Sequence, residues 1–334
     1  MPIILLAIES SCDETSAAII VDGSIKSNII YTQKIHEQYG GVVPESASRL
    51  HIKHIIPVVE EAFKQSGVSK HNLSAVAYTQ SPGLIGSLLV GASFAKSFAQ
   101  SLNIPVIAVN HMQAHVLSNM IDNSTFQFPF LCLTVSGGHT QIVVCKSPLV
   151  MEVIGETIDD AAGEAFDKAA KMLQLPYPGG PLIDKYAKEG NPKAFAFAQP
   201  NIADLNFSFS GLKTSILYFL QKEVKVNPDF ISENLADLCA SIQHTIIQIL
   251  MKKLVKAVKQ TGIRQVGIAG GVSANSGLRQ ALEDYGRKNH WVTHIPAFQY
   301  CTDNAGMIAM VGHYKYLQGE FASLEETASA RAAF

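Results

Sequence analysis

The chain has 334 residues, of which 47% are hydrophobic and 16% are charged. This composition predicts packed domains and excludes a disordered or low-complexity chain. The formal net charge is −2, so bulk positive charge does not hold the chain on nucleic acid, and any RNA contact must be local or shared with a partner. Five cysteines are dispersed without a CxxC pair, which predicts reduced thiols and excludes a disulfide framework or zinc knuckle.

The N-terminal segment MPIILLAIESSC lacks the basic region and the length of a signal peptide. No apolar run reaches the roughly 18 residues that a membrane-spanning helix needs. We therefore expect a cytoplasmic protein that has no membrane partner.

Strand and helix patterns alternate in the first third of the chain in the order βββαβαβα, which predicts a mixed sheet with helices on its faces. The pattern restarts near Pro129. The segments LAIESSCDETSAAII and LCLTVSGGHTQIVVC align without gaps, with Ser11 opposite Ser136 and Thr15 opposite Thr140. The repeat predicts an α/β fold of two related lobes, residues 1–129 and 130–334, with a ligand cleft between them.

The second lobe is interrupted by a less regular insert near residues 177–206. Two long helices are expected around 212–222 and 231–261, because apolar residues recur there at helical spacing. A last helix is expected from about residue 303 to 317, and it is a candidate to pack back on the first lobe.

Three small or polar turns lie at strand ends. GIAGGVSAN leads from a strand into a helix capped by Asn275 or Ser276, SGGHT is a Gly-Gly turn, and SSCDET carries Asp13 and Glu14 between two strands. Free backbone N–H groups and small side chains at such turns suit a phosphate. Each turn also fits an ordinary change of chain direction, so the spacing leaves both interpretations open.

Two further segments carry acidic side chains and glycines. In DDAAGEAFDKAAK, helical spacing places Asp160, Glu164 and Asp167 on one face, which fits either a solvated acidic face or an Asp167 that accepts hydrogen bonds from ribose hydroxyls. In PYPGGPLID, Gly180 offers close approach to a ligand, and Asp184 is a second acceptor.

The segment VNHMQAH places His111 and His115 four residues apart, at a helix start that follows an apolar strand. A second pair, His290 and His294, has the same spacing, so spacing alone leaves metal binding and coincidence both open. Met112 stands where the HExxH motif has its glutamate, so a metallopeptidase would lack its general base here.

Ten segments together resemble one family and occur in this order: IESSCDET, GGVVPESASRLH, SPGLIGSLLVGASFAK, NHMQAH, VSGGHT, DDAAGEAFDKAAK, YPGGP, FSFSGLKT, AGGVSANSGLR and CTDNAGMIA. From about Leu5 to Ala309 the chain is similar to the bacterial TsaD family of tRNA N6-adenosine threonylcarbamoyltransferases, formerly called O-sialoglycoprotein endopeptidases. The resemblance implies the actin-like fold shared with sugar kinases and Hsp70, which consists of two related lobes.

The resemblance also implies a reaction, in which a threonylcarbamoyl group passes from its adenylate to N6 of adenosine 37 in tRNAs that read codons starting with A. The implied metal ligands are His111, His115 and Asp303, which would hold one divalent cation, Fe2+ with Zn2+ as the alternative. The implied ligands of the threonylcarbamoyl-adenylate, or of ATP, are Thr134, Val135, Ser136, Gly137, Gly138, Asp167, Gly180, Asp184 and Asn275. No side chain of this sequence stands out as a general base, and we name none.

The partners implied by the family are tRNA, a TsaB-like paralogue, a TsaE-like ATPase and a TsaC-type synthase that supplies the adenylate. A basic run of Lys252, Lys253, Lys256 and Lys259 fits an RNA-binding face or a solvated helix face. The sequence departs from the family pattern at Gln113 and Ala114, where Glu-Gly is usual, and at Ser81, where glycine is usual. The ending ASARAAF leaves a role for Arg331 open.

Two other functional classes remain open from the sequence. A sugar- or acetate-type kinase of the same superfold would bind a magnesium nucleotide and would need no imidazole ligands. A nucleotide-gated binding subunit would bind adenine nucleotides without a stoichiometric metal and without turnover. The HxxxH pair favours the transferase over both.

Overall fold

The protein is described by a computed structural model over residues 1–123, 125–200 and 202–332. Its strands are β1 Ile4–Glu9, β2 Glu14–Val21, β3 Ser24–Thr32, β4 Ala75–Ser81, β5 Val106–Asn110, β6 Phe130–Val135, β7 Thr140–Ser147, β8 Val150–Glu156, β9 Gln265–Ala269 and β10 Val292–His294. Its α-helices are α1 Pro44–Ser66, α2 Ile85–Leu102, α3 His111–Leu117, α4 Ala162–Met172, α5 Gly179–Ala187, α6 Ser210–Val226, α7 Phe230–Glu233, α8 Leu235–Thr261, α9 Ser276–Asn289 and α10 Ala305–Gln318.

The chain divides into two compact units. Unit 1 comprises Met1–Phe128, Cys145–Met151 and Pro296–Phe334, and unit 2 comprises Pro129–Val144 and Glu152–Ile295. The lobe limits expected from the sequence, 1–129 and 130–334, stay a prediction. Residues 124, 201, 333 and 334 of those lobes lie outside the described residues.

The sheet of unit 1 has the strand order β3-β2-β1-β4-β5. β1 pairs antiparallel with β2, and β2 with β3, whereas β1 pairs parallel with β4, and β4 with β5. This is the mixed sheet that the sequence predicts. Successive side chains of a strand point to opposite faces, and Leu6 and Ile8 of β1 accordingly join the apolar cluster formed with α1 and α2.

The opposite face of this sheet is covered by α10. A Cβ atom at Gly312 would lie 2.7 Å from the Cβ atom of Ala77 in β4, so a side chain at Gly312 would push the helix away from the sheet. The helix start is fixed by two hydrogen bonds, from Ala305 N to Ser16 Oγ (2.8 Å) and from Gly306 N to Asn28 Oδ1 (3.0 Å). The helix therefore begins at Ala305, two residues later than the sequence predicts.

The sheet of unit 2 has the order β10-β9-β6-β7-β8. It repeats the order of the first sheet when β6 to β10 are read for β1 to β5, and its β6–β9 and β9–β10 pairs are parallel, like β1–β4 and β4–β5. The internal repeat predicted from the sequence is confirmed by this topology. Residues from α4, α6 and α8, among them Phe166, Ile216 and Leu250, form the core of unit 2.

The prediction that three acidic residues share one face of α4 is wrong for the first of them, Asp160. α4 begins at Ala162, so Asp160 lies before the helix and does not share a helical face with Glu164 and Asp167. Lys168 nevertheless contacts two of the three carboxylates, with its Nζ 2.7 Å from Asp160 Oδ2 and 2.8 Å from Glu164 Oε1.

The basic run on α8 does not form a uniformly solvated face. Lys253 is buried, and its Nζ donates hydrogen bonds to the carbonyl oxygens of Ile202 (2.6 Å) and Asp204 (2.9 Å). Lys256 also donates to the carbonyl of Asp204. Lys253 therefore anchors the end of the irregular segment and is not placed to contact RNA.

None of the helices in the described part of the chain combines the length and the apolar character needed to cross a bilayer.

Candidate functional site

His111 and His115 lie on α3, which follows the last parallel strand of the first sheet. Asn110 caps this helix, because its Oδ1 accepts hydrogen bonds from Met112 N (2.9 Å) and Gln113 N (3.2 Å). Helical spacing then places both imidazoles on one face, with ring centroids 4.6 Å apart. The carboxyl end of a parallel strand is where α/β folds commonly bind ligands.

Asp303 completes a cluster with the two histidines. Its Oδ1 lies 3.1 Å from Nε2 of His115 and 3.4 Å from Nε2 of His111, and one potential ligand atom from each of the three residues lies within 4.8 Å of the others. Both histidines are buried. Two imidazole nitrogens and a carboxylate oxygen therefore converge at one point, as a small cation requires.

Glu9, Ser11 and Thr79 lie behind His111. The sequence pointed to Ser11 only as the counterpart of Ser136, and it did not single out Glu9 or Thr79. Nδ1 of His111 lies 3.1 Å from Oε2 of Glu9 and 3.2 Å from Oγ of Ser11, and Thr79 donates to the same Glu9 oxygen at 2.6 Å. A signal for Glu9 was present, since it is a carboxylate at the end of an otherwise apolar strand that is buried along its length.

The charges of this cluster shift its protonation. Burial alone lowers the pKa of His111, but the carboxylates of Asp303 and Glu9 outweigh burial and hold the pKa well above its usual value. Burial lowers the pKa of His115 below its usual value. Burial raises the pKa of Glu14 well above its usual value, and the charges of Asp303 and Asp13 raise it further.

The cluster fits a divalent metal ion. Two histidines and one carboxylate are the donor set of non-haem Fe2+ sites, and the same ligand types bind Zn2+. The buried carboxylate of Glu9 adds negative charge to that of Asp303, and a divalent cation would offset their mutual repulsion. Among the described residues, Nδ1 of His115 has no hydrogen-bond partner, whereas Nδ1 of His111 has two.

The predicted nucleotide residues lie in unit 2, on turns that touch one another. In the SGGHT turn, Ser136 N donates to the carbonyl of His139 (2.8 Å). A Cβ atom at Gly163, in the first turn of α4, would lie 2.6 Å from the carbonyl oxygen of Ser136, and one at Gly270 would lie 2.5 Å from that of Val135. Glycine at both positions therefore allows the turns after β6 and β9 and the start of α4 to pack in contact.

Asp167 and Asp184 each bond to a helix start in the same unit. Oδ1 of Asp167 accepts hydrogen bonds from the N–H groups of Gly179 (2.9 Å) and Gly180 (3.1 Å). Asp184 accepts from both the backbone N–H (3.2 Å) and the hydroxyl (2.7 Å) of Ser276. Both carboxylates therefore have structural partners, whatever ligand they bind.

Asn275 is the N-cap of α9, as its position in the sequence indicates. Its Oδ1 accepts from Leu278 N at 2.9 Å and its Nδ2 donates to Oε1 of Gln243 at 2.6 Å. Thr134 is fully buried at the end of β6. The assignment of these residues, with Gly137 and Gly138, to nucleotide binding stays a prediction.

Comparison with known proteins identifies close relatives over nearly the whole chain. The family model described as "TsaD: tRNA N6-adenosine threonylcarbamoyltransferase" matches residues 24–310. A protein of that name from Christiangramia forsetii is 60% identical over 333 residues, covering 99% of this chain and 98% of its own. The namesake from Cytophaga hutchinsonii is 59% identical over 322 residues, covering 96% of this chain and 94% of its own.

Solved structures show the same fold at low identity. Full-length HypF in its phosphate- and nucleotide-bound form superposes with a TM-score of 0.61 at 14% identity, covering 96% of this chain and 47% of that chain. HypF of T. kodakarensis superposes with a TM-score of 0.64 at 14% identity, covering 96% and 49%. This chain thus spans about half the length of either HypF chain, and the likeness concerns the fold alone. With the repeated sheet topology, it confirms the predicted actin-like α/β fold.

The structural role of Asp167 can be separated from any role in binding. We expect Asp167→Ala to lower the free energy of unfolding by about 1–3 kcal/mol, because two backbone N–H groups lose their acceptor. Asp167→Asn should cost less than half as much, because its amide oxygen can still accept both bonds. Urea unfolding followed by the fluorescence of Trp291, the single tryptophan, which packs against the unit 2 core, measures both. Equal losses would contradict this role.

Proposed function

Since the chain belongs to the TsaD family of tRNA N6-adenosine threonylcarbamoyltransferases, we propose that it transfers a threonylcarbamoyl group from threonylcarbamoyl-adenylate to N6 of adenosine 37 in tRNA. The acceptors are tRNAs that read codons starting with A. The observation that carries the proposal is the convergence of His111, His115 and Asp303 at the end of the first sheet. A kinase of the same superfold would bind a magnesium nucleotide and would need no imidazole ligands, so two imidazoles beside one carboxylate favour the transferase.

In this proposal, Nε2 of His111, Nε2 of His115 and a carboxylate oxygen of Asp303 hold one divalent cation, Fe2+ with Zn2+ as the alternative. When bound, such an ion supplies Lewis-acid stabilisation of negative charge on the donor. Burial of both histidines keeps bulk water from competing for the ligand atoms. With two imidazoles and one carboxylate as protein ligands, coordination positions stay open for substrate.

The adenylate, or ATP in its place, is held in this proposal by Thr134 to Gly138, Asp167, Gly180, Asp184 and Asn275 in unit 2. Gly137 and Gly138 are exposed, and a Cβ atom at either would have nothing within 4 Å, so a phosphate could approach the backbone of this turn. Asp167 uses Oδ1 for Gly179 and Gly180, so Oδ2 is the atom that would accept a ribose hydroxyl.

The low reactivity of the acceptor amine determines what the protein must contribute to the reaction. The exocyclic amine of adenine is a weak nucleophile, so holding it against the donor carbonyl contributes as much as activating that carbonyl. A base in the anticodon loop has to be turned out of its stack to reach a buried site. We assign no side chain as general base, and the cytoplasm, where tRNA is found, is the proposed location.

The family's other proteins are the proposed partners: a TsaB-like paralogue, a TsaE-like ATPase and a TsaC-type synthase. One feature of unit 1 supports the paralogue. Ile52 and Ile56 lie one turn apart on α1 and are 64% and 56% exposed, and Ile85 and Leu89 lie one turn apart on α2 and are 47% and 49% exposed. Large apolar side chains repeated along two packed helices indicate a helical partner surface.

The transferase proposal is tested by reconstitution. The purified chain is mixed with its partners, threonylcarbamoyl-adenylate and a tRNA carrying adenosine at position 37, and the modified nucleoside is quantified by mass spectrometry. We expect His111→Ala and His115→Ala to lower product formation at least 100-fold, because each removes a metal ligand. His290→Asn, at the exposed member of the second HxxxH pair, is the matched control and should keep full activity.

Product formation that survives both alanine substitutions would contradict the role of the histidines. No product from the unaltered chain, with partners shown to be active, would contradict the transferase proposal itself.

The partner surface is tested by charge insertion. We expect Ile52→Asp or Ile56→Asp to weaken binding of the TsaB-like paralogue by about 10-fold or more, because a carboxylate would be desolvated in an apolar interface. Ile158→Asp, in unit 2 at 61% exposure, is the matched control. Calorimetric titration measures all three, and equal affinities for all would show that this face is not the interface.

A further inference from the structure

Glu9 is a carboxylate in an unusual place. It is fully buried at the end of β1, after Leu5, Leu6 and Ile8, which are also buried. Removing an ionised carboxylate from water costs several kcal/mol unless other groups compensate it. In the described part of the chain its ion-pair partner is His111, and no lysine or arginine pairs with it.

Three hydrogen-bond donors compensate this carboxylate. Oε1 accepts from the backbone N–H of Ser11, and Oε2 accepts from the hydroxyl of Thr79. Oε2 also lies 3.1 Å from Nδ1 of His111. An ionised carboxylate can only accept, so Nδ1 must carry the hydrogen in this pair. A histidine must be neutral to bind a metal, and with the hydrogen on Nδ1 the lone pair of the neutral ring lies on Nε2, the atom that faces Asp303.

The internal repeat shows that the fold does not require a carboxylate at this position. In the gapless alignment of the two repeats, Thr134 stands where unit 1 has Glu9. Thr134 is as fully buried as Glu9, and it occupies the same end of the central strand of the second sheet. Unit 2 builds this strand end with a neutral side chain, and unit 1, which carries the two histidines, has the charged one.

We propose that Glu9 is a positioning residue that fixes the tautomer and the orientation of His111, so that Nε2 is held ready to bind the cation. The inference rests on the metal site under the proposed function. Glu9 acts on one histidine only, because Nδ1 of His115 has no partner among the described residues. The two imidazoles are therefore unequal ligands, and His111 is the preorganised one.

The test uses Co2+ alone as the probe, because its visible absorption reports the geometry and the ligands of the site. We expect Glu9→Gln to weaken Co2+ binding by about 10- to 100-fold, the usual effect of losing a carboxylate behind a metal-bound histidine. Glutamine keeps the shape but loses the charge and one of the two acceptor oxygens, so either Ser11 N–H or the pair Thr79 and His111 faces an NH2 group that cannot accept. The Co2+ absorption bands should change as well, while circular dichroism stays that of the unaltered protein.

Ser10→Ala is the matched control. Ser10 is buried in the same turn, and its hydroxyl donates to the carbonyl of Ser87 at 2.9 Å. This variant loses a buried hydrogen bond next to Glu9 and does not alter the surroundings of His111. We expect its thermal stability to fall while its Co2+ affinity stays within twofold and its absorption bands stay unchanged.

Co2+ affinity and bands of Glu9→Gln equal to those of the unaltered chain would overturn the inference. If that variant does not fold, Glu9→Asp takes its place, since it keeps the charge but withdraws the carboxylate by one methylene. Weaker binding by Glu9→Asp supports the inference, and unchanged binding overturns it. No Co2+ binding by the unaltered chain would instead overturn the metal site, and the inference with it.

Discussion

The packing of α10 against the first sheet is the constraint on which the candidate metal centre depends. Asp303 is 188 residues away from His115 in the chain, and only the docking of this helix brings its carboxylate to the imidazoles. Ser16 and Asn28, from β2 and β3, bind the first N–H groups of the helix, and Gly312 allows it to approach β4. These contacts fix the turn that carries Asp303 immediately before the helix.

The two units share a topology and differ in their chemistry. At equivalent strand ends, unit 1 has Glu9 and a turn with two acidic residues, and unit 2 has Thr134 and a Gly-Gly turn. Acidic and imidazole side chains suit a cation, and exposed backbone N–H groups suit a phosphate. The two units therefore share a topology, but the strand ends of unit 1 carry groups that suit a cation and those of unit 2 carry groups that suit an anion. Thr15 and Thr140 retain a common role, since each bonds through its hydroxyl to the helix that follows its sheet segment.

Local patterns in the sequence predicted the local features of this structure. Strand alternation and the aligned turns gave the mixed sheets and the repeat, and the HxxxH spacing placed His111 and His115 on one helical face, because spacing acts over a single turn. What the patterns missed is non-local. The spacing of Lys253 fits a basic helical face, but its ammonium group bonds to the carbonyls of Ile202 and Asp204, which lie 51 and 49 residues earlier in the chain. The spacing of Asp160 fits the face of α4, but that helix starts two residues later, at Ala162.

Asp303 and Glu9 illustrate the same limit within the site. No spacing rule connects Asp303 to the histidines: the CTDN turn before the last helix offers its carboxylate as a candidate, and the family resemblance names it as a ligand. Glu9 carried a signal, a charged residue at the end of a buried strand, but its meaning depends on Thr79 and His111, which lie 70 and 102 residues further on. The free-energy cost of burying a carboxylate marks Glu9 as unusual. Its role is visible only from the residues that contact it in the folded structure.

The most direct test of this account is anomalous diffraction from crystals of the protein prepared without oxygen, with data collected at the iron and zinc absorption edges. We expect one metal peak about 2.0–2.2 Å from Nε2 of His111, from Nε2 of His115 and from a carboxylate oxygen of Asp303. Crystals in which these three side chains are ordered and metal is supplied, yet no peak lies among them, would contradict it.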